Sequence, residues 1–457
     1  MLYTTTAPVT EDSSLRLRGE LQSRLDALAR GHRVPGAQLA LDTGSGTVLL
    51  HTGTADLDTG APVTADTAVP LGSLTKPYTA ALVMLLADDG DLDPDDPAAD
   101  YLPELSRTPD VTIRQLLSHT SGLPTGPDSD TAAGTTTAHY LSSVCTARDS
   151  LFAPGADFSY SNAGYIAAGR LVEQVTGMPW HEAVRTLLLE PLGTTPAFLG
   201  TTTASRPVAA GHTRNTANGR VRRVEQNLAP LEAPAGALLA SAADLAALGR
   251  ALVGRTPIGL PPVLPPTVAK QMRHPESAAR PGALADGWGL GPALYRQGDT
   301  LWCGHDGNAQ GTSCHLRADP DSGAVVAFTG NSGSATALWR DLAAELARLT
   351  GIRVPLSTAP PVNRGAPVVL PECVGAYANG DTVYRVALEP DGSPTLSVDG
   401  DLPLPLLCYR DLSCDLVDPD TGQRESGGRF HRDPATGAVD RVQISGRVAR
   451  RTDHAPA

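Results

Sequence analysis

The spacing of apolar residues predicts strands at both ends of the first 350 residues and helices between them. Alternation from residue 37 to residue 50 is typical of a strand hairpin that turns at 44–46, and strand-like runs return near 68–71 and over 287–331. Apolar residues at helical spacing predict helices over 15–29, 73–89, 162–176, 241–253 and 335–349, and residues 91–230 are expected to be mainly helical. The sequence therefore predicts an α/β fold, an antiparallel sheet flanked by helices with a helical insertion.

The C-terminal part of the chain has a different pattern. Prolines concentrate in residues 351–371, which indicates a linker. Over residues 372–457, short alternating runs are separated by turn signals at 390–392, 399–400 and 427–428. This pattern predicts a small antiparallel β domain, a barrel or a sandwich, after a first domain over residues 1–350. The 457 residues are enough for two such domains.

Charge and composition exclude several classes of protein. The formal charge is −13 and no block of basic residues occurs, so we expect no nucleic-acid partner and no anionic membrane surface. No run of 18 apolar residues predicts a membrane span, and the N-terminus lacks the pattern of a signal peptide, so the cytoplasm is the expected location. The six cysteines are scattered and are expected to be free thiols. Lysine occurs only at Lys76 and Lys270, so a lysine within a motif is conspicuous.

The first motif is Ser73-Leu74-Thr75-Lys76, at the start of an apolar helix. Residues three apart on a helix share a face, so the lysine amine can reach the serine hydroxyl. A lysine can act as the base for a serine nucleophile only when it is neutral, and burial near a helix N-terminus favours the neutral form. The backbone N–H of Ser73 would face a developing oxyanion. The alternative is an exposed Ser and Lys at an ordinary helix start.

The second motif is Tyr160-Ser161-Asn162, just before a helix. In an extended segment Tyr160 and Asn162 point the same way. A tyrosine oxygen beside a neutral lysine can pass a proton to a leaving group, and the Asn162 amide can hold both the lysine and a substrate carbonyl. The alternative is an aromatic core residue followed by a helix-capping asparagine.

The third motif is His305-Asp306-Gly307, in a strand-like stretch. His305 could orient the substrate or polarise the proton relay. Gly307 would leave room for a substrate backbone along the strand edge, and the N–H of Asn308 would be the second oxyanion donor. The alternative is a β-turn at Asp306-Gly307.

These three motifs, in this order, resemble those of the serine β-lactamase and penicillin-binding-protein superfamily, particularly class C enzymes and D,D-peptidases. Further segments that look like this family are 34–36, 90–93, 117–124 and 190–193. The resemblance implies a β-lactamase/transpeptidase-like domain over roughly residues 15–350. The roles it implies are nucleophile for Ser73, base for Lys76, proton transfer and binding for Tyr160 and His305, and positioning for Asn162. We expect no cofactor and no metal, and the histidine of the third motif argues against strong β-lactamase activity.

Within the superfamily, the chain is similar to penicillin-binding-protein-type thioesterases, stand-alone cytoplasmic enzymes with a C-terminal lipocalin-like β domain. The similarity lies in residues 36–39, 70–77, 304–307 and 311–316. It implies that Ser73 takes a nonribosomal peptidyl chain, with a D-residue as acyl donor, from a peptidyl carrier protein. The N-terminal amine of the peptide then releases a macrolactam. A well-placed internal amine, at an effective molarity of about 10⁵ M or more, outcompetes water.

Two other functions remain open. A cytoplasmic serine hydrolase of the same superfamily (an esterase, a D-aminopeptidase, a D,D-peptidase or a weak β-lactamase) would release only free acid. A non-catalytic penicillin-binding-like sensor would never form an acyl-enzyme.

The β domain is hypothesised to form one wall of the substrate groove. Alternation over residues 442–451 places Arg447 and Arg451 on one face, where they could meet a peptide carbonyl or carboxylate. The alternative is an edge strand with solubilising arginines.

Other residues are interpreted without a catalytic role. His119 is interpreted as a structural turn residue. Residues 88–96 lack the glycine and the terminal glutamate of a calcium loop. One set of possible zinc ligands does not have the spacing of a common zinc site: Cys303, His305, Cys314 and His315.

Overall fold

The computed structural model describes residues 11–452 except 45, 128–131, 147, 201–204, 216–217, 257–258, 260, 357–363, 418–421 and 423. The helices are α1 (Glu11–Gly31), α2 (Thr75–Asp88), α3 (Ile113–Leu117), α4 (Thr137–Val144), α5 (Asn162–Thr176), α6 (Trp180–Val184), α7 (Ala233–Gly236), α8 (Ala242–Leu252), α9 (Pro266–Met272) and α10 (Ala335–Thr350). The strands of the first domain are β1 (Gly36–Asp42), β2 (Thr47–Asp56), β3 (Ala61–Pro62), β4 (Val69–Pro70), β5 (Gly211–Arg214), β6 (Val221–Val224), β7 (Leu239–Ala240), β8 (Gly287–Trp288), β9 (Ala293–Gln297), β10 (Thr300–Gly307), β11 (Ser313–Ala318) and β12 (Val325–Gly330).

The first domain is built on an antiparallel sheet with the strand order β3-β2-β1-β12-β11-β10-β9-β8. Strands β1, β11 and β12 are buried along their whole length. Helices α1 and α10 pack on one face of the sheet and α8 packs on the other, which explains the continuous burial. The predicted antiparallel sheet with flanking helices is confirmed.

Most predicted helices of the first domain are present. Helix α5 ends at Gly177, whose φ of 71° closes the helix, and α8 begins with a capping box between Ser241 and Asp244. The helix expected from residue 73 begins instead at Thr75, after a 3₁₀ turn over Gly72–Leu74. The region expected to be mainly helical also contains the hairpin β5–β6, whose short strands lack a clear apolar alternation.

The second domain is a closed antiparallel barrel, so of the two predicted forms the barrel is correct. Its strands are β13 (Gly375–Asn379), β14 (Thr382–Leu388), β15 (Pro394–Val398), β16 (Leu404–Cys408), β17 (Ser413–Val417), β18 (Arg424–Arg432), β19 (Val439–Ile444) and β20 (Arg447–Arg451). The turn predicted at 427–428 is wrong, because both glycines lie within β18 at an irregularity in its pairing with β17. A side chain on Gly428 would lie 1.7 Å from the Gln443 carbonyl oxygen, so close strand packing explains this glycine.

The described ends of the predicted linker pack on the two domains, and residues 357–363 lie outside the described residues. Val354 joins the core between α1 and α10, and Arg364 pairs with Asp415 of the barrel at 2.9 Å. All six cysteines are buried free thiols. None of the helices in the described part of the chain combines the length and apolar character that a membrane crossing requires.

Candidate active site

Ser73 lies in the 3₁₀ turn that runs directly into α2. Two glycines allow this turn to pack against the end of β10. A side chain on Gly72 would lie 2.1 Å from the Asn308 carbonyl oxygen, and one on Gly307 would lie 2.1 Å from the Leu71 carbonyl oxygen. The space beside Gly307 that was predicted for a substrate backbone is therefore filled by the chain itself. The physical role of this glycine is to let the Ser73 turn approach β10.

Lys76 is fully buried one turn after the serine. Its Nζ lies 3.2 Å from Ser73 Oγ and donates a hydrogen bond to the Ala235 carbonyl oxygen at 2.9 Å. Burial holds the pKa of Lys76 well below its usual value; the positive charge of Arg447 acts in the same direction and Glu232 opposes it. This shift favours the neutral amine, which is the form that can take the serine proton. The structure brings the predicted nucleophile and base together.

Tyr160 lies against the same lysine, 5% exposed, in the extended segment before α5. Lys76 Nζ is 5.0 Å from the centre of the Tyr160 ring, and Arg447 Cζ is 5.0 Å from the same centre. Burial raises the pKa of Tyr160 to about 12, and the Ser73 side chain and Arg447 oppose that shift. The buried hydroxyl has no hydrogen-bond partner within 3.5 Å among the described residues. It can therefore carry a proton between Ser73 or Lys76 and a substrate atom.

His305 lies near the end of β10 and is 2% exposed. Burial and the neighbouring Lys76 lower the pKa of His305 to about 3, so the ring is neutral. Its Nδ1 lies 2.5 Å from the Asp306 carbonyl oxygen, and its Nε2 is buried with no partner in the described part of the chain. The ring meets Trp288 edge to face at 5.2 Å and is 6.2 Å from the ring of Tyr160. The structure therefore brings His305 next to Tyr160, as predicted.

The β-turn alternative for the third motif is wrong, because residues 306 and 307 are the last two residues of β10 and pair with β11. The Asp306 carboxylate accepts hydrogen bonds from Arg317 at 2.7 and 3.0 Å and lies 2.7 Å from Nδ1 of His315. Burial acts to raise the pKa of Asp306, but Arg317 and His315 outweigh it and hold the pKa well below its usual value. This ionised carboxylate anchors the strand that carries His305.

His119 is more than the turn residue inferred from the sequence. It does occupy a turn, with a φ of 60°, but its ring is buried and stacks on Tyr160 at 4.3 Å. Its Nδ1 accepts a hydrogen bond from the Ser161 N–H at 3.0 Å, and its carbonyl oxygen accepts one from the Ser159 N–H at 2.9 Å. His119 therefore fixes the backbone on both sides of Tyr160. Its place in the family-like segment 117–124 was the available signal in the sequence.

Asn162 is the first residue of α5 and follows Tyr160 by two positions. Its Oδ1 is buried and has no hydrogen-bond partner among the described residues. It lines an opening of about 320 Å³ with Ser73 and Asn308. The predicted positioning role for Asn162 and the predicted oxyanion role for the Asn308 N–H are compatible with this placement and remain predictions.

The nucleophile lies where two parts of one cleft meet, because Ser73 and Asn308 line both parts. The first part, here the tyrosine arm, encloses about 360 Å³ and carries aromatic and cationic side chains: Tyr160, Trp288, His305, Trp339, Arg340 and Arg447. The second part, here the amide arm, carries several carboxamides besides Asn308: Asn162, Gln226, Asn227 and Gln310. Both volumes lie in the usual range of small-molecule sites.

The barrel forms one wall of the tyrosine arm. The Tyr160 N–H donates to the Gly446 carbonyl oxygen at 2.9 Å, and the Val448 N–H donates to Ser159 Oγ at 3.1 Å. Arg447 lines the cleft and donates from Nε to Thr125 Oγ1 at 2.8 Å. The edge-strand alternative is wrong, because β20 pairs with both β13 and β19.

Arg451 does not share the position of Arg447. Its guanidinium donates to carbonyl oxygens of the barrel, namely those of Glu372, Val374 and Val439. Its contacts are therefore within the barrel, and of the two arginines only Arg447 reaches the cleft.

This arrangement supports nucleophilic acyl transfer. A buried amine with a lowered pKa faces a serine hydroxyl, an uncharged phenol and an uncharged imidazole lie beside them, and two arms meet at the nucleophile. In the part of the chain that the structure describes, no group of three or more His, Cys, Asp or Glu side chains is arranged to hold a metal ion.

Comparison with known proteins gives consistent matches. A family model described as beta-lactamase matches residues 21–349. Penicillin-binding protein 4 of Amycolatopsis lactamdurans is 36% identical over 370 residues, which is 78% of this chain and 96% of that protein. The crystal structure of SurE matches with a TM-score of 0.85 at 37% identity, and SurE solved with D-Leu matches with 0.82 at 36%; both comparisons cover 96% of this chain and 100% of SurE. The D-stereospecific amidohydrolase from Streptomyces sp. matches with a TM-score of 0.57 at 26% identity, over 73% of this chain and 99% of that one.

Proposed function

The chain belongs to the β-lactamase and penicillin-binding-protein superfamily of serine hydrolases and acyltransferases, and from this premise we propose that it cyclises a nonribosomal peptide. The substrate is a peptidyl thioester on a carrier protein, with a D-residue as acyl donor, and the product is a head-to-tail macrolactam. The observation that carries the proposal is the buried Lys76 amine, its pKa lowered by burial, at 3.2 Å from Ser73 Oγ, where the two arms of the cleft meet.

In the acylation step, Ser73 Oγ attacks the thioester carbonyl while its proton passes to Lys76. The bond from carbon to serine oxygen forms, and the bond from carbon to sulfur breaks. The departing thiolate recovers a proton from Lys76 through the Tyr160 hydroxyl. Backbone N–H groups of Ser73 and Asn308 hold the oxyanion of the intermediate.

In the release step, the N-terminal amine of the same peptide attacks the ester carbon. The new bond joins nitrogen to carbon, the bond to the serine oxygen breaks, and the amine proton returns to Ser73 through Tyr160 and Lys76. The amine must be neutral, and about a tenth of it is neutral at pH 7 if its pKa is near 8. The barrel wall beside Tyr160 limits the access of water, so the internal amine competes well.

The preference for a D-residue is supported by two matched proteins. One of the SurE structures was solved with D-Leu, and a second matched protein is a D-stereospecific amidohydrolase. The amide arm offers hydrogen-bonding groups suited to a peptide backbone, and its Asn162 Oδ1 has no partner among the described residues. The acyl chain therefore lies in the amide arm, and the leaving thiol and the attacking amine use the tyrosine arm beside the proton donor.

The likeness to the amidohydrolase and to penicillin-binding protein 4 favours one alternative, a serine hydrolase that releases a linear acid. The two functions differ only in the second nucleophile, so the product decides between them. The experiment uses a linear peptide carried as an N-acetylcysteamine thioester and ending in a D-residue. The matched control is the same peptide with the L-epimer at that residue.

We expect the cyclic amide from the D-peptide, much slower turnover of the L-peptide, and no product with Ser73→Ala. Free acid alone from the D-peptide would refute the cyclase and favour the hydrolase. An intact protein that gains no acyl mass from thioester, ester or β-lactam probes would favour the non-catalytic sensor.

A further inference from the structure

The hairpin β5–β6 has a charge opposite to that of the chain as a whole. Residues 211–224 contain four arginines and no acidic residue, whereas the whole chain has a formal charge of −13. Those arginines are all exposed: Arg214, Arg220, Arg222 and Arg223. Only the last of them forms an ion pair with a described carboxylate, with Asp56 at 3.3 Å. Such a local reversal of charge attracts anionic groups to this part of the surface.

The two faces of the hairpin differ. Residues directly opposite each other in an antiparallel pair share a face, so His212 shares one face with Arg223. That face packs on the sheet domain, because His212 Nδ1 contacts the Asn331 carbonyl oxygen at 2.9 Å and the arginine meets Asp56. Arg222 points to the opposite face, together with Val224 and Gly211.

The face that carries Arg222 is the one turned toward the amide arm. A side chain on Gly211 would lie 2.0 Å from the Gln310 carbonyl oxygen and 2.6 Å from Gln226 Nε2, and both glutamines line that arm. A side chain on Gly311 would lie 2.6 Å from Val224, which shares the Arg222 face. Gln226 lies four positions after Arg222, a distance of at most about 13 Å in extended chain. The arginine therefore lies within about 13 Å of a residue that lines the amide arm.

We propose that β6 binds an anionic side chain of the peptide acyl donor, so that the preferred substrates are acidic peptides. This inference rests on the proposed function, because it places the acyl chain in the amide arm. An extended peptide advances about 3.3 Å per residue, so the acidic residue lies several residues before the one acylated on Ser73, where the acyl chain leaves the amide arm.

The inner part of the arm has the opposite preference. Glu232 lines the amide arm and acts to raise the pKa of Lys76, so its charge lies close to the nucleophile. An acidic substrate residue next to the acylated one would meet this carboxylate and bind poorly. The structure therefore assigns a position-dependent preference, which a uniform surface potential would not produce.

The test measures binding separately from turnover. The protein is the full chain with Ser73→Ala, and the probes are fluorescent octapeptide amides that end in a D-residue. One Glu is moved through the peptide, with Gln at the same position as the neutral isostere. Arg222→Glu is the test variant, and Arg214→Glu, on the opposite face of the hairpin and in no ion pair with a described carboxylate, is the matched control.

We expect Glu to bind about three- to tenfold more tightly than Gln several residues before the C-terminal D-residue, and more weakly at the position directly before it. The gain should shrink in 0.5 M salt, disappear with Arg222→Glu and persist with Arg214→Glu. Equal binding of Glu and Gln peptides at every position would overturn the inference, as would equal losses in the two variants. The proposed function is tested separately by the turnover of a neutral peptide thioester by the unmodified protein, which does not depend on an acidic residue.

A carrier protein is the other acidic partner that could occupy the hairpin. If Arg222→Glu slows the reaction of a carrier-borne neutral peptide but leaves binding of the free acidic peptides unchanged, the peptide assignment is wrong. The hairpin would then face the carrier protein.

Discussion

Replacement of Gly307 by alanine tests how the fold places the nucleophile. The added methyl carbon would lie 2.1 Å from the Leu71 carbonyl oxygen and 2.7 Å from the Leu74 backbone nitrogen. These two atoms bracket Ser73 in its 3₁₀ turn. Restoring a non-bonded separation of at least 3.0 Å requires the turn to move away from β10 by about 1 Å.

The catalytic cost follows from this displacement. Ser73 Oγ and Lys76 Nζ are 3.2 Å apart, and a shift of about 1 Å takes them outside hydrogen-bond range. A displacement of that size costs about 100-fold in rate. Overpacking at the same site costs about 1–3 kcal/mol of the free energy of unfolding, which leaves the protein folded at room temperature.

The assay is steady-state turnover of a D-terminated peptidyl thioester, with thermal unfolding measured on the same sample. Gly287→Ala, in β8 of the same sheet, is the control, since its added methyl group would be an ordinary 3.8 Å from Leu294. We expect Gly307→Ala to lower kcat about 100-fold with little change in KM. A raised KM at unchanged kcat would instead support the sequence-based prediction that this glycine makes room for substrate. A kcat within about threefold of the parent protein would show that close packing at Gly307 does not position Ser73.

Three further predictions concern charge and the domain boundary. Arg447→Gln removes a cation that lowers the pKa of Lys76, so the acid limb of the pH profile of kcat/KM should move to higher pH. Glu232→Gln removes an anion that raises the same pKa and should move the limb to lower pH. Movement in the same direction in both variants would contradict the assignment of this limb to Lys76. Burial lowers the pKa of His305 to about 3, so between about pH 6.5 and pH 3 the unfolded chain binds a proton that the folded chain does not. The free energy of unfolding should therefore decrease by up to about 1.4 kcal/mol for each unit by which the pH is lowered in this range. Urea unfolding at pH 7 and pH 5 should show a smaller difference in His305→Gln than in the parent protein. The fully buried Asn379 joins the barrel to the first domain by accepting from the Thr125 N–H and donating to the Val448 carbonyl oxygen, each at 2.7 Å. Asn379→Ala should therefore cost about 2–4 kcal/mol of stability and raise the share of hydrolysed product, and an unchanged product ratio would argue that the barrel does not limit water.

The sequence predicted those parts of the site whose chemistry depends on short spacings. The lysine lies three positions after the serine, so their contact follows from helix geometry once a helix start is assumed. The barrel and the main helices were predicted for a similar reason, since periodicity and turn residues are local signals. The turn predicted at 427–428 was wrong because glycine is common both in turns and where strands pack closely. A single sequence does not distinguish these two uses of glycine.

The rest of the site depends on contacts between distant segments. Arg447 reaches Thr125 across 322 residues, and only the closed barrel brings them together. The stacking of His119 under Tyr160 and the space filled beside Gly307 are likewise packing relations, which no single-sequence pattern encodes. The alternation near the C-terminus placed Arg447 and Arg451 on one face, but it could not show that the second arginine bonds within the barrel.

The most direct test of the central claim is the pH dependence of acylation of Ser73 in a single turnover, followed by the mass of the intact protein after mixing with a D-terminated peptidyl thioester. The account predicts fast acylation at pH 7, with an acid limb far below the ordinary lysine pKa of about 10.4, and loss of acylation in Lys76→Met. Acylation that appears only near pH 10, or that proceeds equally well in Lys76→Met, would contradict it.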